Sequence, residues 1–144
     1  STIRSKSYQR QVSRKNRSIA VYSKECPLFV PLVEEGITQG KIVDDVVEMY
    51  LKDMKGKIDT LILGCTHYPL LKGAIERYLK GVYLVDSAKE VARRTKEMLE
   101  DNNIRRAKGN LSKEEFFVTD EPAGFMKLAK IFLRREIKPK LVNI

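Results

Sequence analysis

The stretch IDTLILGCTHYPLL, residues 58 to 71, decides the fold class. Ile58 to Leu63 is an apolar, β-rich run without polar alternation, the pattern of a strand covered on both faces in a parallel sheet. Pro69 suits the first turn of a helix, where its missing N–H has no partner to lose, and a helix is expected from there to about Leu79. Val82 to Val85 reads as a second short buried strand. Beyond it Ala88, Val91, Ala92, Thr95, Met98 and Leu99 trace one face of a helix that Asn102 and Asn103 close. Strands alternating with helices of this length define βαβ units, so the fold class is α/β with a largely parallel sheet.

Upstream, Ile42, Val43, Val46, Val47, Met49, Tyr50 and Met54 recur at helical spacing from Lys41 to Met54, and Gly56 stands where that helix would stop. Ile19 to Tyr22 alternates like a short strand. CPLFVPLVEEG, residues 26 to 36, carries Pro27 and Pro31 and is expected to be an extended or irregular loop. Residues 3 to 16 form a polar helix with Ser1 or Thr2 as the N-cap candidate. Downstream, residues 105 to 113 read as a surface loop, Phe116 to Val118 as a strand and Leu141 to Val142 as a terminal strand. Between these strands Phe125, Leu128, Ala129, Phe132 and Leu133 mark the last helix.

Composition narrows the function classes. A chain of 144 residues, 42% hydrophobic and 33% charged, has the make-up of one soluble globular unit, not of a disordered or fibrous chain. Its apolar runs are too short to span a bilayer and no apolar segment follows the basic N-terminus, so the chain reads as cytoplasmic, with no membrane partner. Two cysteines, Cys26 and Cys65, are too few for a disulfide framework and fit a reducing compartment. One histidine and no second thiol nearby leave a zinc site without its ligands, and no metal is expected. The net charge of +9 comes largely from Arg4, Lys6, Arg10, Arg14, Lys15, Arg17 and Lys24, set against Glu25 alone in residues 1 to 25. On a helix these positions spread over several faces without an aromatic ladder, which favours a solvated basic helix over a nucleic-acid surface.

Gly64 to Tyr68 lies at the carboxyl end of the expected strand, where open parallel sheets bind ligands and where the amides of the next helix point. Gly64 permits a tight turn and close backbone approach. Thr66 suits either a helix cap or a carboxylate contact. Cys65, just before a helix N-terminus, stands where partial positive charge raises the thiolate fraction, and His67 is placed to exchange protons with it. An inert buried thiol beside a histidine satisfied by backbone is the equal alternative, and a reactive thiol here could be either a nucleophile or an acid/base.

DTLILGCTHYPLL, Asp59 to Leu71, resembles the second signature of the glutamate racemases, cofactor-independent enzymes that supply D-glutamate for bacterial peptidoglycan. CPLFVPLVEEG resembles that family's middle block, and TIRSKSY, Thr2 to Tyr8, its Thr/Ser segment. VDSAKEVA and FFVTD continue the pattern, so the resemblance covers the whole chain. It implies proton transfer between two thiols on opposite faces of the glutamate α-carbon, without cofactor. On that resemblance Cys65 matches the second catalytic cysteine, His67 its assistant and a substrate contact, Thr66 a substrate-binding residue and Glu34 a carboxylate near the site. Thr2 is a candidate for the substrate carboxylate, with helix capping the simpler reading, and a solvated surface Glu is an equal reading of Glu34. Cys26 has no catalytic counterpart and reads as a core residue.

The family's first half carries an Asp-Ser-Gly block, a Tyr-Gly pair and the first catalytic cysteine in a Cys-Asn-Thr motif, none of which occurs here. The resemblance therefore implies the C-terminal portion of a racemase. Residues 1 to 86 would be a middle α/β domain lacking its first strand. Residues 87 to 144 would complete the other α/β domain. The partners it implies are glutamate, a missing N-terminal half supplied in cis or in trans, and a second copy in a homodimer. A non-catalytic module binding a small anion at Gly64 to Tyr68 is the competing reading, and a thiol hydrolase using Cys65 as nucleophile ranks behind it for want of an oxyanion or Asn/Asp partner motif.

Overall fold

Helix α3, Lys41–Leu51, buries Val43, Val47 and Leu51 along one stripe and is prolonged by a 3₁₀ turn, Lys52–Met54. Gly56 adopts φ 74°, a left-handed conformation that costs glycine little, and turns the chain back into strand β1, Thr60–Leu63. The computed structural model describes residues 3, 5–106 and 113–143. A second 3₁₀ turn, Tyr68–Leu71, leads into helix α4, Lys72–Tyr78, and the chain returns as strand β2, Tyr83–Asp86, before helix α5, Ser87–Asp101. Strands β1 and β2 pair in parallel with Thr60 opposite Tyr83 and Leu63 opposite Asp86. The α/β class with parallel pairing is thus as expected.

Among the described residues, helices α1, Ser7–Lys15, and α2, Phe29–Glu34, precede this unit. Strand β3, Phe117–Val118, helix α6, Pro122–Leu133, and strand β4, Lys140–Leu141, follow it, with β3 and β4 forming a second parallel pair. The main core is built by α2, α3, α4 and the sheet, around Phe29, Val33, Val47, Leu63, Leu71 and Ile75. Phe29 meets the rings of Tyr50 and Tyr68 edge-on at centroid distances of 5.5 and 5.2 Å. Such pairs add to burial because the positive ring edge meets the negative face.

Four expectations are corrected. CPLFVPLVEEG is not a loop: Phe29–Glu34 is helical, and Pro31 is tolerated because it lies in the first turn, where its N–H would be unsatisfied in any case. Ile19 to Tyr22 pairs with no strand among the described residues, and Ile19 and Tyr22 are exposed. Strand β1 is covered on one face only. Leu61, Leu63 and Leu84 turn inward, whereas Ile62 and Tyr83, on the other face, are 41% and 70% exposed. The first helix begins at Ser7 with Lys6 as its N-cap. Ser1 and Thr2, the caps proposed for it, lie outside the described residues.

Candidate functional site

The carboxyl end of β1 is held from two sides. The Ser87 hydroxyl donates to the Leu63 carbonyl at 3.0 Å, and the Asp86 carboxylate caps α5 by accepting from the amides of Ala88 and Lys89 at 3.0 and 3.3 Å. Both ends of the β1–β2 pair are thereby fixed where the chain leaves β1 for Gly64 and Cys65. Gly64 is needed for closeness and not for a left-handed turn: a Cβ there would lie 3.3 Å from the Tyr8 hydroxyl. Tyr8 of α1 thus packs against the backbone beside the candidate thiol.

Cys65 is half-buried, and its Sγ lies 3.8 Å from Nδ1 of His67. The Thr66 hydroxyl is 3.3 Å from the same nitrogen. On the far side of the ring, Nε2 faces Oε1 of Glu34 at 3.6 Å, beyond a good hydrogen bond but within ion-pair reach. The imidazole is one-fifth exposed, and the ring of Phe132 in α6 stands edge-on to it at 5.5 Å. A proton on Nε2 directed at the Glu34 carboxylate leaves Nδ1 to accept from a neutral thiol. The imidazolium instead donates from Nδ1 to a thiolate. The arrangement is a thiol, an imidazole and a carboxylate in line.

Cys65, Thr66, His67 and Glu34 lie side by side in the fold, and Thr2 lies outside the described residues. Two details differ from expectation. Cys65 does not directly precede an α-helix, because the 3₁₀ turn Tyr68–Leu71 intervenes before α4 starts at Lys72. A helix terminus acts on charges within about one turn, and α4 starts seven residues beyond Cys65. Thr66 caps nothing, since its hydroxyl is engaged with His67.

Sequence reasoning missed Tyr8, Ser87 and Phe132. Ser87 follows a strand and starts a helix, which is a weak signal, while the approaches of Tyr8 to Gly64 and Phe132 to His67 span more than fifty residues of chain and leave no local pattern. Cys26 is a different kind of thiol. It is 5% exposed, its backbone carbonyl accepts from the Tyr68 hydroxyl at 3.3 Å, and burial pushes the thiol up to about 11 despite the nearby Lys24. Burial likewise raises the Tyr68 phenol to about 12, with Cys26, Cys65 and Tyr50 adding to the effect. Among the described residues no group of three or more His, Cys, Asp or Glu is placed to hold a metal ion, and no helix is long and apolar enough to cross a membrane.

Fold and site together define an α/β protein with a thiol–imidazole–carboxylate arrangement at the end of a parallel strand. No protein-family model matches the chain. The glutamate racemase of Aquifex aeolicus is 46% identical over 142 residues, 99% of this chain and 52% of that protein. A crystal structure of the Francisella tularensis glutamate racemase in complex with D-glutamate superposes with a TM-score of 0.89 at 35% identity, over 99% of this chain and 54% of that one. The Thermus thermophilus glutamate racemase, in complex with β-chloro-D-alanine, gives 0.86 at 36% identity, over 99% and 53%. The chain is similar to glutamate racemases over 99% of its length and spans about half the length of the relatives it matches.

Proposed function

We propose that this chain is the Cys65-bearing, C-terminal portion of a cofactor-independent glutamate racemase. The observation that carries the reading is the line Cys65 Sγ, His67 Nδ1 and Nε2, Glu34 Oε1, with steps of 3.8 and 3.6 Å, in a chain whose relatives are racemases. A racemase must remove a proton from one face of an α-carbon and return one to the other. A thiolate formed by proton transfer to His67 is a base for one face, and Glu34 stabilises the imidazolium that results. In the reverse direction the Cys65 thiol, reprotonated through His67, is the acid. Thr66 and, by resemblance, Thr2 supply hydroxyls for the substrate carboxylate.

One thiol serves one face. Cys26, enclosed by the core and held protonated up to about pH 11, is unfit to serve the other. The second thiol belongs to the N-terminal half, joined in cis or supplied in trans. In this reading residues 1 to 86 form a middle domain and residues 87 to 144 complete the other, and two such enzymes pair as a homodimer. The product is D-glutamate for cell-wall peptidoglycan, made in the cytoplasm. The isolated chain has little or no activity.

The test is solvent-deuterium incorporation at Cα of L- and D-glutamate, followed by NMR. The 144-residue chain alone is expected to show none above background. The chain joined to an N-terminal racemase half is expected to exchange both enantiomers, and Cys65→Ser to abolish this. Exchange by the isolated chain that survives Cys65→Ser would overturn the assignment, and glutamate binding with no exchange in the joined protein would favour the anion-binding module.

A further inference from the structure

The line from Cys65 through His67 to Glu34 holds only while the imidazole keeps its plane, and the polar contacts on that ring are long. Nδ1 lies 3.8 Å from Cys65 Sγ and 3.3 Å from the Thr66 hydroxyl, and Nε2 lies 3.6 Å from Glu34. Such contacts fix direction weakly, since a hydrogen bond between nitrogen and oxygen is best at about 2.9 Å. The backbone is firmer. The Tyr68 amide donates to the Cys65 carbonyl at 3.2 Å and the Leu70 amide to the His67 carbonyl at 3.1 Å. What these bonds leave free is rotation of the ring about Cβ–Cγ, a torsion with broad wells. A half-turn puts carbon atoms where the two nitrogens stood and breaks the line.

The ring of Phe132 in α6 stands against that rotation. It is perpendicular to the imidazole, at a centroid distance of 5.5 Å and an interplanar angle of 84°, within the range favoured by T-shaped pairs. Phe132 is not a core anchor: it is 40% exposed, and the buried residue of α6 is Ala129. Two further contacts set α6 against the end of α2 that carries Glu34. Lys127 Nζ lies 3.8 Å from Glu35 Oε2, and a Cβ placed on Gly36 would lie 3.9 Å from Ile131 Cδ1. Lys127 and Ile131 are four residues apart and share a face of the helix. The exposed ion pair contributes little by itself. Ile131 and Phe132 bring apolar surface against Gly36, two residues past Glu34, and against His67 itself.

We propose that Phe132 is a positioning residue for the racemase reaction, its ring holding the His67 imidazole in the plane that joins Cys65 to Glu34. It exchanges no proton and acts through His67. With the ring in place, Nε2 carries its proton toward the Glu34 carboxylate, which can only accept, and Nδ1 is left for the thiol and the Thr66 hydroxyl. Without it the imidazole samples both half-turns, and the thiol is without its proton partner for part of the time. A phenyl ring suits the task because it is flat, apolar and unable to compete for either nitrogen. The reaction served rests on the reading of the chain as part of a racemase; the hold on His67 rests on the contacts of α6 alone.

His67 is the only histidine of the chain, so its ring nitrogens give a single pair of signals in long-range proton–nitrogen NMR correlation. The 144-residue chain is expected to show two well-separated nitrogen shifts, one protonated and one bare, at a pH where the imidazole is neutral. In Phe132→Ala the two are expected to draw together as tautomers mix, and Phe132→Tyr, which keeps the ring, is expected to match the parent. Should the alanine variant fail to fold by circular dichroism, Phe132→Leu, which keeps apolar volume without the ring, makes the same test. In the chain joined to an N-terminal racemase half, Phe132→Ala is expected to lower kcat at least about tenfold with KM unchanged, and Phe132→Tyr to restore it. Unmoved nitrogen shifts in Phe132→Ala, a tyrosine variant that behaves like alanine, or a loss confined to KM would each overturn the proposal. Mixed tautomers in Phe132→Ala with no Cα exchange by the joined parent would sink the racemase reading and leave the hold on His67 standing. Equal Cα exchange by the joined parent and its Phe132→Ala variant would overturn the proposal and leave the racemase reading intact.

Discussion

Helices α3 and α5 carry comparable apolar stripes and meet opposite fates. In α3, Val43, Val47 and Leu51 are buried against α4 and the sheet. In α5, Ala88, Val91, Ala92, Thr95, Met98 and Leu99 recur with the same period, yet none is buried, and Val91 and Met98 are 65% and 50% exposed. Periodicity states which face of a helix is to be covered. It carries no information about whether the covering surface lies in the same chain. The sheet repeats the lesson: its inner face is sealed by Leu63 and Leu84, its outer face leaves Ile62 and Tyr83 in solvent.

The contrast can be broken by substitution. The largest effect is expected in the covered core, where Phe29→Ala removes a ring packed against Tyr50 and Tyr68 and should cost about 3–5 kcal/mol. A urea midpoint within error of the parent would show that the α2–α3 core does not stabilise the chain. Leu51→Ala on α3 follows at about 2–5 kcal/mol. Its counterpart on α5, Met98→Ala, should change stability by less than about 0.5 kcal/mol in the isolated chain, because an exposed methylene stack loses little. Urea unfolding of the pair tests the comparison directly, and a Met98→Ala cost equal to that of Leu51→Ala would mean that α5 is covered in solution.

Titration sharpens it further. Cys26 and Tyr68 have folded values raised to about 11 and about 12 by burial, from 9.0 and 10.0. Each is an acid held neutral by the fold, so its contribution is fully present below the unfolded value and is lost as pH rises. The native state binds more protons there, and unfolding free energy should therefore fall between about pH 9 and 12. Cys65, outside the core, gives the smallest perturbation of the fold and the clearest chemical contrast. Iodoacetamide at pH 8 is expected to label Cys65 well before Cys26, as read by peptide mass spectrometry. Equal labelling would show that the core around Cys26 opens as readily as the site.

Much of this was legible beforehand because its signals are local. The strand Ile58 to Leu63, Gly56 as a helix stop and Asn103, in the left-handed conformation at φ 54°, as the end of α5 each depend on a few adjacent residues. Pro27 and Pro31 misled for an equally local reason: their spacing suits a loop, and also a short helix that takes Pro31 in its first turn. At the site, Cys65 and His67 were visible as near neighbours, and Glu34 entered through the resemblance. The ring of Phe132 and the approach of Tyr8 to Gly64 were not visible, since both arise from long-range packing.

By itself the sequence determined the α/β class, the apolar faces and the pairing of a thiol with an imidazole at a strand end, because backbone preference and side-chain period act over a few residues. Only the tertiary structure decided that Glu34 closes the line behind His67, that Cys26 is sealed away, and that Ile62 of β1 is left exposed. Those outcomes depend on which surfaces meet, and solvent exclusion is a property of the packed molecule, not of any segment within it.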